Sequence, residues 1–456
     1  MSDQGTAAGS ASAGADATQL RRAVSGRLLF LFILGDVLGA GIYALIGVIA
    51  AEVGGAVWVP LLVALGLALL TAASYAELVT KYPRAGGSAV FAQRAYRSSL
   101  VSFLVGFCML AAGVTSAAGL SLAFAGDYLG VFADVPAAPA AVVFLLLVGL
   151  LNARGIQESV RANVVMTVVE VSGLVLVVVL GAVVLGRGDG DAGRVLEFPP
   201  GVSVASGVLA AALIAYYSFV GFETSANVAE EVRDVRRVYP RALFGALLAA
   251  GVVYLLVGLA ASVVLAPDDL AASSGPLLAV VQAADVGIPD QLFSAVALVA
   301  VANGALLTMI MASRLVFGMA EQRLLPRPLA RVLPGRRTPW VAIVLTTLVA
   351  MALTLVGDLG DLANAVVLLL LLVFLSTNTA VLVLRRDHVE QPHFRAPAVI
   401  PVLAIASCLL LLWQQEARTW LLAGAELAVG VLLYFLARAP WWADRHPVDA
   451  AQPPAA

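Results

Sequence analysis

Apolar residues along this chain gather in long blocks instead of alternating or following one helical face. Twelve such runs fall at about 28–49, 57–80, 99–125, 138–152, 162–186, 203–229, 241–266, 291–317, 339–357, 361–383, 399–414 and 419–437. Each approaches the ~20 residues that a helix needs to cross ~30 Å of hydrocarbon. Helices are required there, because a backbone in lipid must satisfy its own hydrogen bonds. The pattern therefore predicts an all-α integral membrane protein of about twelve transmembrane helices. The fourth and eleventh runs are the shortest. Between the seventh and eighth runs, residues 274–284 are semi-apolar but too short to span, which predicts a hairpin or short helix on the outer face.

An even number of spans puts both termini on one side. With that side taken as inside, every Lys and Arg falls in inside segments except Arg187, Arg194 and Arg418, out of 27. The outside loops instead carry Asp127, Asp134, Asp189, Asp191, Asp268, Asp269, Asp358 and Asp361. Basic residues collect on the cytosolic side of membrane proteins, so both termini are expected in the cytosol. A miscounted helix would scramble this alternation. The tails, 1–26 and 438–456, read as disordered cytosolic segments.

Composition agrees. The chain is 61% hydrophobic and 12% charged, against roughly 45–50% and about 25% for soluble domains. Arg outnumbers Lys 26 to 1, which suggests a GC-rich bacterial genome and so a bacterial cytoplasmic membrane. Cys108 and Cys408 lie in apolar runs and read as buried hydrophobes. His388, His393 and His446 all lie in loop or tail sequence. That argues against a His-ligated metal, a haem or an intramembrane Ser–His pair. No phosphate-cradling loop and no soluble domain is visible, which disfavours an intramembrane enzyme or a sensor. No cofactor and no nucleic-acid partner is expected.

Two runs are interrupted. Residues 34–43 read LGDVLGAGIY, with Gly35, Gly39 and Gly41 at mid-span. Residues 216–225 read YYSFVGFETS, with Gly221 and Glu223 near the centre. Each glycine costs a helix interior ~1 kcal/mol relative to Ala. Unwinding in lipid is tolerated only where the chain lines a cavity. The breaks lie roughly 180 residues apart, each in the first span of a five-helix half, the signature of an inverted-repeat transporter. The halves are 27–186 and 203–383, with 399–437 supplying two extra helices. Freed amides would hold a carboxylate and freed carbonyls an ammonium, as a zwitterionic amino acid requires. Glycine-rich stretches also serve as packing faces, so the run-1 pattern alone carries less than the pair.

A set of motifs then resembles a known family. Residues 39–43 read GAGIY, 75–78 YAEL, 82–88 YPRAGGS, 221–223 GFE, 230–231 EE, 239–240 YP, 312–314 ASR and 324–326 LLP. In this order, over about residues 25–440, they resemble the amino acid–polyamine–organocation (APC) permeases. The resemblance implies a substrate site between helices 1, 3, 6, 8 and 10. It implies that Gly39, Ala40 and Gly41 hold the substrate carboxylate through backbone N–H groups, while the Val37 and Val220 carbonyls receive the amino group. Tyr217 stands where family members often place a gating aromatic. Three features depart from the family pattern: Ala40 replaces the usual hydroxyl residue, Asp36 is an added acid in helix 1, and Glu170 lies close to where some proton-coupled relatives carry a Lys.

An ionised acid at the bilayer centre costs at least ~2.5–3.5 kcal/mol, which singles out Asp36, Glu170 and Glu223 as proton-coupling candidates. Asn163, Thr167 and Glu170 share one helical face, expected to point into the bundle. Glu223 is placed to bind substrate, cap the inner half-helix or carry a proton. Glu77 reads as an ordinary i,i+4 pair with Lys81. Glu230 and Glu231 with Arg233, Arg236 and Arg237 read as a gate network or solvated loop. The eighth run offers Asn303, Thr308 and Ser313 without adjacent hydroxyls, so a proton or substrate gradient ranks above sodium. Thr115, Ala118, Tyr217, Asn303 and Thr377 are candidates for the side-chain pocket. The expectation is a secondary transporter of an amino acid, with a polyamine or organic-amine exchanger as the alternative.

Overall fold

The computed structural model describes residues 24–437 except Ala40, 84–86, 155–158, Val202, 322–323, 334–337 and Val356, and no side chain of 159–164 or Glu231. The sequence expectations for Ala40, for the Asn163 side chain and for both tails up to residue 23 and beyond 437 concern residues outside those described.

The first run forms two helices, α1 (Gly26–Leu38) and α2 (Gly41–Val53), bent by 41°. There follow α3 (Trp58–Lys81), α4 (Gly87–Tyr96), α5 (Ser99–Phe124), α6 (Asp127–Gly130), α7 (Ala137–Arg154) and α8 (Ser159–Arg187). The second half holds α9 (Val204–Ser218), a 3-10 helix (Phe222–Glu231), α10 (Val235–Val264), α11 (Pro267–Ala272), α12 (Pro276–Ala283), α13 (Asp290–Glu321), α14 (Trp340–Leu353) and α15 (Leu359–Leu384). α16 (Val399–Trp413) and α17 (Ala417–Ala437) end the chain. Among the described residues nine helices are long and apolar enough to cross a membrane, the broken α1–α2 pair makes a tenth span, and α14 and α16 are shorter apolar helices. All twelve sequence runs are thereby accounted for. The protein is an all-α, multi-pass membrane protein, and a β-bridge joins Val24 to Val232.

Burial separates a core from a rim. Two thirds of the apolar windows of α5 and α15 are buried, against 33% for α7 and 22% for α17. α5 packs on α13 and α15, α3 on α10, and α2 on α9. The rim turns Leu146, Leu147 and Leu150 of α7 outward, which is favourable only against lipid. Asp358 and Asp361 form a capping box at the start of α15, satisfying two amides that the helix leaves open.

Two features differ from the sequence reading, and a third agrees with it. α4 falls between the second and third apolar runs, outside every expected span. The segment 274–284 forms the short helix α12, as the sequence reading allowed, packed on α2 and α13. The second break does not resume as an α-helix; its continuation is the ten-residue 3-10 helix, much longer than the usual three or four residues.

Candidate functional site

α1 stops at Leu38 and α2 starts at Gly41; α9 stops at Ser218 and the 3-10 helix starts at Phe222. These interruptions pack against each other. A methyl group on Gly41 would lie 3.0 Å from the Ser218 Cα, and one on Gly221 would lie 2.8 Å from the Asp36 carbonyl oxygen. Gly221 also has φ +120°, a conformation that glycine reaches without strain. Glycine is needed there on both counts.

Polar groups tie the break together. The Thr224 hydroxyl donates to the Asp36 carboxylate and is 2.8 Å from the Gly221 carbonyl. The Gly221 amide donates to Glu223 Oε2 at 2.9 Å, so Glu223 folds back to cap the 3-10 helix. The Tyr254 hydroxyl of α10 donates to the Val37 carbonyl at 2.6 Å and lies 3.2 Å from that of Ser218. One hydroxyl thus serves carbonyls from both broken helices. Tyr217 and Ser116 of α5 share a hydrogen bond of 2.7 Å, which fixes the aromatic ring against the opposite wall.

A cavity of about 400 Å³ opens at this junction. Asp36, Val37, Gly39, Gly41, Tyr217, Val220 and Glu223, all singled out from sequence, line it. The facing wall is largely apolar, with Met109 and Leu120 from α5, Met311 from α13 and Leu370 from α15. A pocket of this size, mostly apolar with a few converging polar groups, suits a small molecule with one polar end.

Glu170 does not line the cavity. Its Oε1 accepts from Asn303 at 3.0 Å, and its carbonyl accepts the Tyr43 hydroxyl at 2.6 Å. Its second carboxyl oxygen is buried and has no hydrogen-bond partner among the described residues. Thr167, one turn earlier, packs against Gly35 of α1. The face that carries Thr167 and Glu170 does point into the bundle, joining α8 to α1, α2 and α13 at one remove from the cavity.

Several side-chain assignments change. Thr115 turns away and donates to Glu426 of α17 at 2.8 Å, while its neighbour Ser116 faces the cavity. Thr377 donates to a carbonyl of its own helix, and Ala118, Asn303 and Thr377 are absent from the lining. Glu77 does not pair with Lys81. It is 1% exposed and forms a bidentate pair with Arg385 at 2.8 and 2.6 Å, and also accepts the Ala396 amide at 3.0 Å. That hydrogen bonding raises the Arg385 pKa above its already high value. Lys81 instead donates to the Leu384 and Asp387 carbonyls. The pairs are long-range, so i,i+4 spacing pointed to the wrong partner. Thr224, Tyr254 and Ser116 were missed as site residues. Tyr254 carried a signal, being a lone hydroxyl ring amid the apolar residues of its run.

Comparison with known proteins places these features in context. A family model described as "Amino acid permease" matches residues 27–424. A methylthioribose transporter of Bacillus subtilis (strain 168) is 30% identical, over 93% of this chain and 95% of that protein. The branched-chain amino acid permease BcaP of the same organism is 26% identical, over 91% and 93%. The vacuolar cationic amino acid transporter 4 of Arabidopsis thaliana is 29% identical, over 80% of this chain and 64% of that protein.

Proposed function

The chain belongs to the amino acid permease family, and from that premise we propose that it is a secondary transporter that moves an amino acid across a bacterial cytoplasmic membrane by alternating access. The observation that carries this reading is the meeting of both broken spans around one cavity of about 400 Å³. The halves 27–186 and 203–383 serve as inverted repeats that rock about it. Both termini lie in the cytosol in this reading, which the positive-inside bias supports.

In this reading the amides opening α2 hold the substrate carboxylate. The ammonium meets the Asp36 carboxylate and the Val220 carbonyl. The Val37 carbonyl is engaged by Tyr254 and offers only its remaining lone pair. The substrate side chain lies against Met109, Met311 and Leu370, which favours a neutral aliphatic or thioether group. Glu223, committed to its own helix start, stabilises the break. Glu170 takes and releases the coupling proton, because its unpartnered oxygen is open to protonation and its contacts reach both halves. Sodium is disfavoured: Thr308 and Ser313 donate to carbonyls of their own helix.

A second reading, an organic-amine exchanger, is favoured by two carboxylates in one cavity. Purified protein in proteoliposomes separates the two. Uptake driven by an imposed pH gradient is expected for one or a few aliphatic amino acids, and Glu170→Gln is expected to abolish accumulation while leaving counterflow exchange. Competition by diamines with no effect of zwitterions would replace the first reading by the second. Methylthioribose belongs in the same panel. Full pH-driven accumulation by Glu170→Gln would end the coupling assignment.

A further inference from the structure

A second concavity, separate from the central cavity, carries its own chemistry. It is a groove of about 840 Å³ between the start of α10 and the loop joining α15 to α16. Arg236, Arg237 and Arg241 line it against a single acid, Asp234. None of the three arginines takes part in an ion pair among the described residues. The floor is apolar: Phe244 and Phe394 meet with ring centroids 5.9 Å apart. Three guanidinium groups around one concavity match the oxygens of a phosphate.

The course of α10 beyond the groove indicates what the phosphate is attached to. The exposed face that begins with Arg237 and Arg241 continues one and two turns at a time through Leu248, Val252 and Leu256, which are 49%, 55% and 44% exposed. This is a lipid-facing stripe that ends at a guanidinium cluster. We propose that the groove binds the phosphate headgroup of an anionic phospholipid whose acyl chain lies along this stripe of α10. Pro240 and Phe244 seat the glycerol region between the two. The bound lipid bridges α10, which follows the broken span directly, to the loop that Arg385 holds through the Ala396 carbonyl at 2.7 Å. The site is therefore positioned to stabilise that side of the transporter. This does not depend on which substrate the central cavity takes.

The test uses the full chain in nanodiscs of phosphatidylcholine alone or with phosphatidylglycerol. Phosphatidylglycerol is expected to raise the unfolding temperature. At about 1 kcal/mol per basic residue near a charged surface, the variant Arg236→Gln/Arg237→Gln/Arg241→Gln is expected to bind it on the order of a hundredfold more weakly. Inorganic phosphate added to phosphatidylcholine discs is expected to give no rise. An equal rise with inorganic phosphate would make this a soluble-anion site and overturn the lipid assignment, as would an undiminished lipid effect in the variant. Should the variant not fold, a photoactivatable phosphatidylglycerol on the unaltered protein decides: labels are expected within 236–244 and 392–394, and labelling spread evenly over the rim helices would overturn the proposal.

Discussion

Replacing Gly221 with alanine adds one methyl group where two helix breaks touch. Its carbon would lie 2.8 Å from the Asp36 carbonyl oxygen, 3.0 Å from the Asp36 carbonyl carbon and 3.2 Å from the Asp36 Cγ. Favourable separations between carbon atoms are ~3.5–4.0 Å, and two of these neighbours are backbone atoms that cannot swing aside. The residue would also keep φ near +120°, which costs a non-glycine ~1–3 kcal/mol. Overpacking adds typically ~1–3 kcal/mol. The sum, ~2–6 kcal/mol, is relieved by separating the 3-10 helix from α1, which also breaks the Thr224–Asp36 hydrogen bond. The expected outcome is a lower unfolding temperature in detergent and at least tenfold weaker substrate counterflow. Gly66→Ala is the control: nothing lies within 4 Å of its added methyl, so stability should hold or rise. Wild-type stability together with wild-type counterflow in Gly221→Ala would refute the contact between the breaks.

Other outcomes follow from the same geometry. Glu77→Ala leaves a mostly buried guanidinium unpaired, a loss of ~3–5 kcal/mol; thermal unfolding of the single and double variants with Arg385→Ala should reveal a strong coupling, and simple additivity would dismiss the pair as a structural clamp. Tyr254→Phe removes a hydroxyl serving Val37 and Ser218, at ~0.5–1.5 kcal/mol per hydrogen bond, so the unfolding temperature in detergent should fall modestly; an unchanged value would show that this hydroxyl does not hold the break. Ser116→Ala and Tyr217→Phe break the same hydrogen bond, so in transport kinetics the double variant should be no worse than the more impaired single one. Independent, multiplying losses would show that each residue acts alone.

Much of the site was legible because backbone chemistry writes itself into composition. Gly35, Gly39 and Gly41 inside one run, and Gly221 beside Glu223 inside another, mark places where a lipid-embedded helix cannot continue without a cavity. Eight residues named from those two segments, Gly221 among them, line the cavity. Side-chain facing was not legible. Thr115 and Ser116 are adjacent in an almost uniformly apolar helix, and nothing in the local pattern says which meets the cavity and which meets Glu426. The partner of Glu77 was misread for a related reason. Arg385 lies 308 positions away, and only the packing of α3 against α15 brings it closer to the carboxylate than Lys81.

By itself the sequence determined which apolar segments become helices and where both breaks fall, because lipid imposes length, polarity and backbone satisfaction one segment at a time. The tertiary structure alone decided that the breaks touch, that Thr224 bonds Asp36, and that Tyr254 occupies the Val37 carbonyl. It also decided that Glu170 stands outside the cavity and that Glu223 caps its own helix. Those contacts depend on how helices rotate against one another. In a chain whose helices are apolar on nearly every side, that rotation is set by shape and by a few buried hydrogen bonds between distant residues.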